Sequence, residues 1–463
     1  MSLKKFLCIP LVLALLVFSL SGCGGSSHSN NFSSTDDTTE EQQNNQEQQD
    51  TQDQQDQQDN QQENQDNNGT DNGTDNGTDN GTDNGTDDTT NDDTSGYDYS
   101  STTADTNAIL VDDTSDTNEY SNITVYKSGS SSQSDNPDFY GTNAAILAKN
   151  GLSLTLNNIT VDTAGSYANA VFSYGEGTEI IINDSTITTT SNNSGGIMAT
   201  YNGDITASNL TITTSGGSSA AIRSDRDGGT MTVDGGTYTT SGTGSPVIYS
   251  TATINVSNAT LKSTTAQGVV VEGKNSVSLT NCTMTVNNTT VNGNQTTEKQ
   301  AVMIYQSNSG DASTGKGAFS MSGGSITNTT GDIFYVTNTT ADITLDNVTI
   351  TNNDSSGVFL KAALAGWSTT NGGTVTLTAN NQDIDGDFVV DSASSLTLAL
   401  GGSSSLNGAI NSAKSGASIS VTIESGSTWT LTGDSYVTSI TNNGTINQGS
   451  YSLYENGTAY TAE

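Results

Sequence analysis

The sequence predicts an all-β chain, a solenoid of stacked three-strand coils behind a long polar leader. One phrase, seen as ITLDNVTITNN at 343–353, occurs eight times. Successive copies start 23 to 26 residues apart, except for one longer step between the sixth and seventh. Within each copy the apolar residues alternate at period two, the pattern of half-buried strands. A period in the twenties with three short strands per repeat means a β-solenoid, because one coil alone cannot bury its apolar face.

The amino end comes first in the chain. Lys4 and Lys5 precede an apolar run that closes on Leu20-Ser21-Gly22-Cys23. Residues 1–22 read as a secretory signal peptide rather than a lasting membrane span. The four residues ending in Cys23 resemble the lipobox of bacterial lipoproteins. That resemblance implies cleavage before Cys23, lipid attachment at its thiol and anchorage to a membrane. Gly24 and Gly25 follow, so the aspartate that retains lipoproteins at an inner membrane is absent. The implied location is extracytoplasmic: the outer membrane of a diderm cell, or the outer face of the plasma membrane of a monoderm cell. Cys8 leaves with the signal peptide and Cys23 carries lipid, so only Cys282 remains and the mature chain forms no internal disulfide. No later segment is long and apolar enough to span a bilayer.

Residues 23–100 read as a tether. EEQQNNQEQQDTQDQQDQQDNQQ gives way to NGTDNGTDNGTDNGTD, and residues 31–100 hold 20 Asp and Glu with no Lys or Arg. Such a segment has almost nothing to bury and repels itself, so it is expected to stay disordered. A coil of that length averages roughly 50 Å end to end, and charge extends it. The TDNG repeat fits a hydrophilic stalk better than a calcium site, because nothing there fixes carboxylate geometry. The whole chain carries a formal charge of −38. That argues strongly against nucleic acid as a partner and against a polybasic membrane patch.

From residue 101 on, the chain is rich in Thr, Ser, Gly and Asn. The shared phrase runs apolar, any, apolar, any, then Asn, Asp or Gly, any, Thr or Ser, apolar. Its eight corner residues are Asn158, Asp184, Asn209, Gly235, Asn258, Asn281, Gly323 and Asn347. These are the residue types that tolerate a left-handed backbone, so a bend is expected at each. Coils stack at about 4.8 Å, so like residues form ladders, with Asn281 expected to stack on Asn258. SNITVYKS at 121–128 reads as an earlier copy. A second apolar phrase precedes each copy, from AAILA at 144 through AAIRS at 220 and GVVVE at 268 to GVFLK at 357.

The pattern resembles the right-handed parallel β-helix of the pectate-lyase-like superfamily, over roughly residues 105–450. The resemblance implies about ten three-strand coils, with Asn at the bend between the second and third strands. Residues 101–375 form the regular helix, and 376–463 are its tapering C-terminal coils and cap, with Trp429 covering the open end. Residues 287–300 should bud out as a loop. The fold hosts lyases, hydrolases, adhesins and tailspikes, so it does not decide function.

Candidate chemistry is sparse. The single histidine, His28, lies in the tether. Arg223 and Arg226, with Asp225 and Asp227, follow a first-strand phrase, on the face where enzymes of this superfamily keep their groove. A lyase site would need metal-binding carboxylates on neighbouring coils. None line up there, so the cluster reads as a solvated turn with local ion pairs. The matching positions on those coils are Tyr174, Tyr201 and Tyr249, which suit carbohydrate stacking. Asn381, Asp383, Asp385 and Gly386 have the spacing that opens a calcium loop, but Ser392 stands where a closing Glu belongs, which favours a polar turn. Thr186, Thr188, Thr211, Thr213, Thr237, Thr239, Thr283, Thr285, Thr349 and Thr351 should form two outward columns interrupted by Asp162, Lys262 and Ser325. They resemble the ice-binding face of some solenoids, although Thr is favoured on any outward strand position. The reading assigns no catalytic residue, metal ligand or cofactor. It expects a lipid-anchored surface protein for adhesion or glycan binding, with partners among glycans and host or neighbouring cell surfaces. A polysaccharide lyase or hydrolase, or a binder of ice or crystalline surfaces, are the alternatives.

Overall fold

Alternation at period two, repeated at each coil, builds three long parallel sheets. A computed structural model describes residues 96–291 and 296–461, within one unit, Gly85–Glu463. The signal segment, Cys23, His28 and nearly all of the tether lie outside the described residues, as do 292–295 at the centre of the 287–300 insertion. The chain is a right-handed parallel β-helix. One coil shows the plan: a first strand at Ile197–Thr200, a second at Asp204–Ser208 and a third at Thr211–Thr214. Each pairs in parallel with its counterparts one coil before and after. The first-strand sheet has 11 strands, the second-strand sheet 13 and the third-strand sheet 10.

The corner between second and third strands forms as the sequence predicts. All eight expected residues have positive φ, from 50° at Asn158 and Asp184 to 70° at Gly235. Asn122 at 57° and Asn381 at 49° extend the row at both ends. The side-chain ladder is partial. Asn158 Nδ2 donates to Asn122 Oδ1 and Asn209 Nδ2 to Asp184 Oδ1, each at 2.7 Å. Glycine breaks it at 235 and 323, and Asn258 turns instead to Asp234 at 2.7 Å. Asn281 does not bond to Asn258. Its Oδ1 leans over the next coil's Gly323, where a Cβ would stand only 2.6 Å away. Small corners thus make room for large ones on the adjacent coil.

The inward apolar residues of all three sheets meet in one continuous core, and outward residues of the first strands form two smaller clusters around Met303 and Phe172. Toward the C-terminus Phe319, Phe334, Phe359 and Phe388 stack in it with ring centroids 5.5–5.6 Å apart. Trp429 is fully buried but does not close the stack. Its strand, Thr428–Thr430, lies between Ser405–Asn407 and Thr445–Asn447. The end is closed by a small sheet of Ser435–Val437, Leu453–Glu455 and Thr458–Ala459, whose last pair is antiparallel. The last strand is only two residues long, and so short an edge offers little for further pairing.

One helix, α1 (Asp135–Tyr140), interrupts the solenoid between the 121–128 copy and the strand Ile146–Lys149. It ends at Gly141, whose φ of 66° is a left-handed cap. A Cβ at Gly141 would lie 2.8 Å from both Leu147 and Phe172, so glycine lets the helix end seat on the first-strand face. Among the described residues no helix is long and apolar enough to cross a membrane.

Candidate functional site

Outward residues of the first strands gather under two segments that cross that face: helix α1 and the loop 306–315. Arg223, on the strand Ile222–Asp225, donates to Asp225 Oδ2 through Nη2 at 2.8 Å and Nε at 3.2 Å. Its Nη1 faces Asp138 of α1 at 3.7 Å, a charge pairing too long for a hydrogen bond. Arg226 has φ 48° and lays its guanidinium over the Phe139 ring at 3.9 Å. Its Nε meets Asp311 of the loop at 2.6 Å, in an ion pair misaligned for hydrogen bonding. Asp227 accepts from Ser313 of the same loop at 3.3 Å. Thr200 donates to the Phe139 carbonyl at 2.8 Å.

The expected solvated turn is therefore largely buried at Arg223 and Asp225, while Asp227 is exposed. The Arg223 side chain is 15% exposed, Asp138 13% and Asp225 4%. The ion pairs are not only local, because Asp138 lies 85 residues before its partner Arg223 and Asp311 lies 85 residues after its partner Arg226. A carboxylate does line up on the sheet, two coils along. Thr200 pairs with Asp225 and Arg223 with Tyr249. Carrying the register through Tyr249 and Val270 places Glu272 in the Asp225 column, with Tyr305 above it. Two coil steps are roughly 10 Å. Glu272 is fully buried and accepts from Tyr305 at 2.9 Å, Tyr249 and Ser307. Trp367 packs against Tyr305 with centroids 4.9 Å apart. Tyr249, Tyr305 and Trp367 thus make an aromatic wall around one carboxyl group.

The cluster holds four carboxyl groups, Asp138, Asp225, Glu272 and Asp311, against two guanidinium groups. Burial pushes Asp138 up to about 6, with Arg223 opposing and Asp135 and Asp311 adding. Burial likewise raises Asp225 to about 7 against the pull of Arg223, helped by Asp311 and Glu272. Burial raises Glu272 too, and the three hydroxyl donors hold it back. Burial is the common first cause, and the excess of acid over base adds to it, so the site favours the uncharged form of some of its carboxyls.

Comparison with protein-family models, with curated proteins and with solved structures found no match.

The tyrosines named from sequence split into two groups. Tyr249 belongs to the Glu272 wall. Tyr174 and Tyr201 join Tyr140 of α1, with all three ring centroids 5.5 Å apart. Tyr140 is 39% exposed, and its ring stacks on Tyr201 at an interplanar angle of 15°. This trio is an accessible aromatic platform beside the charged cluster. Asn381 is a coil corner rather than the start of a calcium loop. Asp383–Asp385 is a strand with Ile384 buried, which points both carboxylates outward. They accept from Ser405 at 2.5 Å and Asn407 at 2.9 Å on the next coil. Among the described residues no group of three or more His, Cys, Asp or Glu is placed to hold a metal ion. The Thr columns are in register: Thr160, Thr186, Thr211, Thr237, Thr260, Thr283, Ser325 and Thr349 stack in order. Asp162 and Lys262 interrupt the second column.

Asp138, Glu272, Tyr305, Asp311 and Trp367 went unnamed in the sequence reading. Glu272 alone left a signal: it follows GVVV as Asp225 follows AIRS, at the same offset in the same phrase.

Proposed function

We propose that this chain is a lipid-anchored cell-surface protein that binds glycans on the first-strand face of its β-helix, without catalysis. The observation that carries the reading is the Tyr140–Tyr174–Tyr201 platform. Sugar rings present C–H faces that stack on aromatic rings, and polar groups at the edge fix orientation. The adjoining arginines and carboxyls are already engaged with one another, which supports binding over turnover. Leu20-Ser21-Gly22-Cys23 supports anchorage through a lipidated Cys23, with the acidic tether holding the domain off the envelope. Adhesion to glycans of host or neighbouring cells is the role that fits such a placement.

The test is a glycan array with the domain from residue 101 on, with and without calcium. Binding is expected, and Tyr140→Ala is expected to weaken it by about 1–2 kcal/mol, roughly five- to thirtyfold. A folded domain that binds no glycan, or a Tyr140→Ala variant that binds equally well, refutes the platform. Anchorage has its own check. Cys23→Ala should leave an unprocessed or soluble precursor in place of a detergent-phase lipoprotein, and a variant that is still processed and detergent-soluble removes the lipobox reading.

One observation favours a second reading, a polysaccharide hydrolase. Asp225 and Glu272 are carboxyls of raised pKa in one column, and glycoside hydrolysis uses such a pair flanking the bond. Release of reducing ends from a polysaccharide, lost in Glu272→Gln, would promote it.

A further inference from the structure

The aromatic wall at Glu272 has the chemistry of a binding subsite, yet loop 306–315 covers it and helix α1 lies over the coils just before it. Loop 306–315 supplies Ser307, whose hydroxyl donates to Glu272 and lies 2.7 Å from Ser309. The loop crosses close to the strand that it covers. Lys274 N donates to Ser313 O at 3.0 Å, and a Cβ at Gly273 would stand 2.5 Å from that carbonyl. Helix α1 covers the neighbouring coil through Asp138 and Phe139. Arg226 ties the two covers together, with Phe139 on one side and Asp311 on the other.

These ties depend on charge balance. On α1 the charged groups are Asp135 and Asp138, and on the loop Asp311. The strands beneath present Arg223, Asp225, Arg226, Asp227, Glu272 and Lys274, with Tyr201, Tyr249 and Tyr305. The interlocked groups, Asp138, Asp225, Glu272 and Asp311 with Arg223 and Arg226, range from fully buried at Glu272 to 24% exposed at Arg226, and carry two more negative than positive charges when fully ionised. Each cover contributes one of those carboxylates. Full ionisation therefore sets Asp138 and Asp311 against Asp225 and Glu272 in a site with little water to screen them.

We propose that helix α1 and loop 306–315 form a charge-controlled cover over a hidden glycan subsite made by Tyr249, Glu272, Tyr305 and Trp367. The cover is closed when the carboxyl cluster retains protons and opens when the cluster is fully ionised. Its direction follows from proton linkage. The closed state holds protons that the open, solvated carboxyls release, so closure is favoured at low pH and lost as pH rises through about 6 to 7. The opened subsite offers two phenol hydroxyls, an ionised carboxylate as hydrogen-bond acceptor and an indole face for a sugar ring. Its assignment to glycans rests on the proposed function, whereas the cover itself does not.

Amide hydrogen exchange of the full chain, corrected for intrinsic rates, tests the cover. Protection of 135–140 and 306–315 should fall about tenfold or more between pH 5.5 and 8.5, while the third strands at 186–189 and 211–214 stay protected. Acrylamide quenching should rise over the same range, because Trp367 becomes accessible and the fully buried Trp429 does not. Asp225→Asn combined with Glu272→Gln should keep the cover closed at both pH values. If that pair fails to fold, Asp138→Asn should shift the opening to higher pH. Unchanged protection across the range, loss of protection in all sheets together, or an unshifted transition in folded Asp138→Asn overturns the proposal. Opening without any gain in glycan binding leaves the cover standing and removes the glycan assignment.

Discussion

Replacing Arg223 with alanine is expected to lower the unfolding free energy by about 3–5 kcal/mol at pH 8.5, and by much less at pH 5. Among the described residues the guanidinium is the one cation paired with both Asp225 and Asp138. Its loss leaves two carboxyl groups buried without a counter-charge, and a broken buried pair is far more damaging than a pair never built. The pH dependence follows from the acids. In the folded chain Asp225 is raised from 3.8 to about 7, so the fold binds a proton there that the unfolded chain does not. Stability from that proton is present at low pH and fades as pH rises toward about 7. At pH 5 the variant's Asp225 is neutral and the missing arginine matters little. Urea denaturation at both pH values checks this. A loss below about 1 kcal/mol at pH 8.5, or an equal loss at both values, would mean that solvent reaches the site.

Trp429→Ala is expected to destabilise the C-terminal coils by about 3–5 kcal/mol while the preceding coils hold. The side chain is fully buried, between Leu406 of one rung and Ile446 of the next. Its Nε1 donates to Gly408 O at 2.9 Å, so the truncation opens a cavity and orphans a carbonyl. The strand of Trp429 pairs only with the rungs on either side of it, which confines the damage. Hydrogen exchange should show lost protection over 405–459 and unchanged protection over 146–352. Uniform loss along the chain would instead make the solenoid one cooperative unit. Trp429→Phe should recover most of the stability, because it refills much of the cavity.

The corner row was legible because its cause is local. Positive φ is expensive for most residues and cheap for Asn, Asp and Gly, so those eight positions had to be written into the chain. Inward and outward faces were legible for the same reason, since alternation within a strand decides them. Asn381 shows the limit of spacing alone: a run that reads as an ion loop is a corner followed by a strand, because a solenoid imposes its own period on Asp383 and Asp385. The side-chain ladder was over-read at Asn281, where the neighbouring coil's glycine, not another amide, sets the packing.

By itself the sequence determined the parallel β-helix, its bends, its buried alternation and the Thr columns, all of which repeat with the coil and are fixed within about ten residues. The tertiary structure decided the site. Asp138, Arg223, Glu272 and Asp311 lie far apart along the chain, only Arg223 and Glu272 sit in the repeated first-strand phrase, and helix α1 and loop 306–315 interrupt the repeat that made the rest readable. Burial turned a turn-like IRSDRD into a low-dielectric charge cluster. It depends on what folds over the residues, and a charge's pKa depends on the surroundings that only the folded chain assembles.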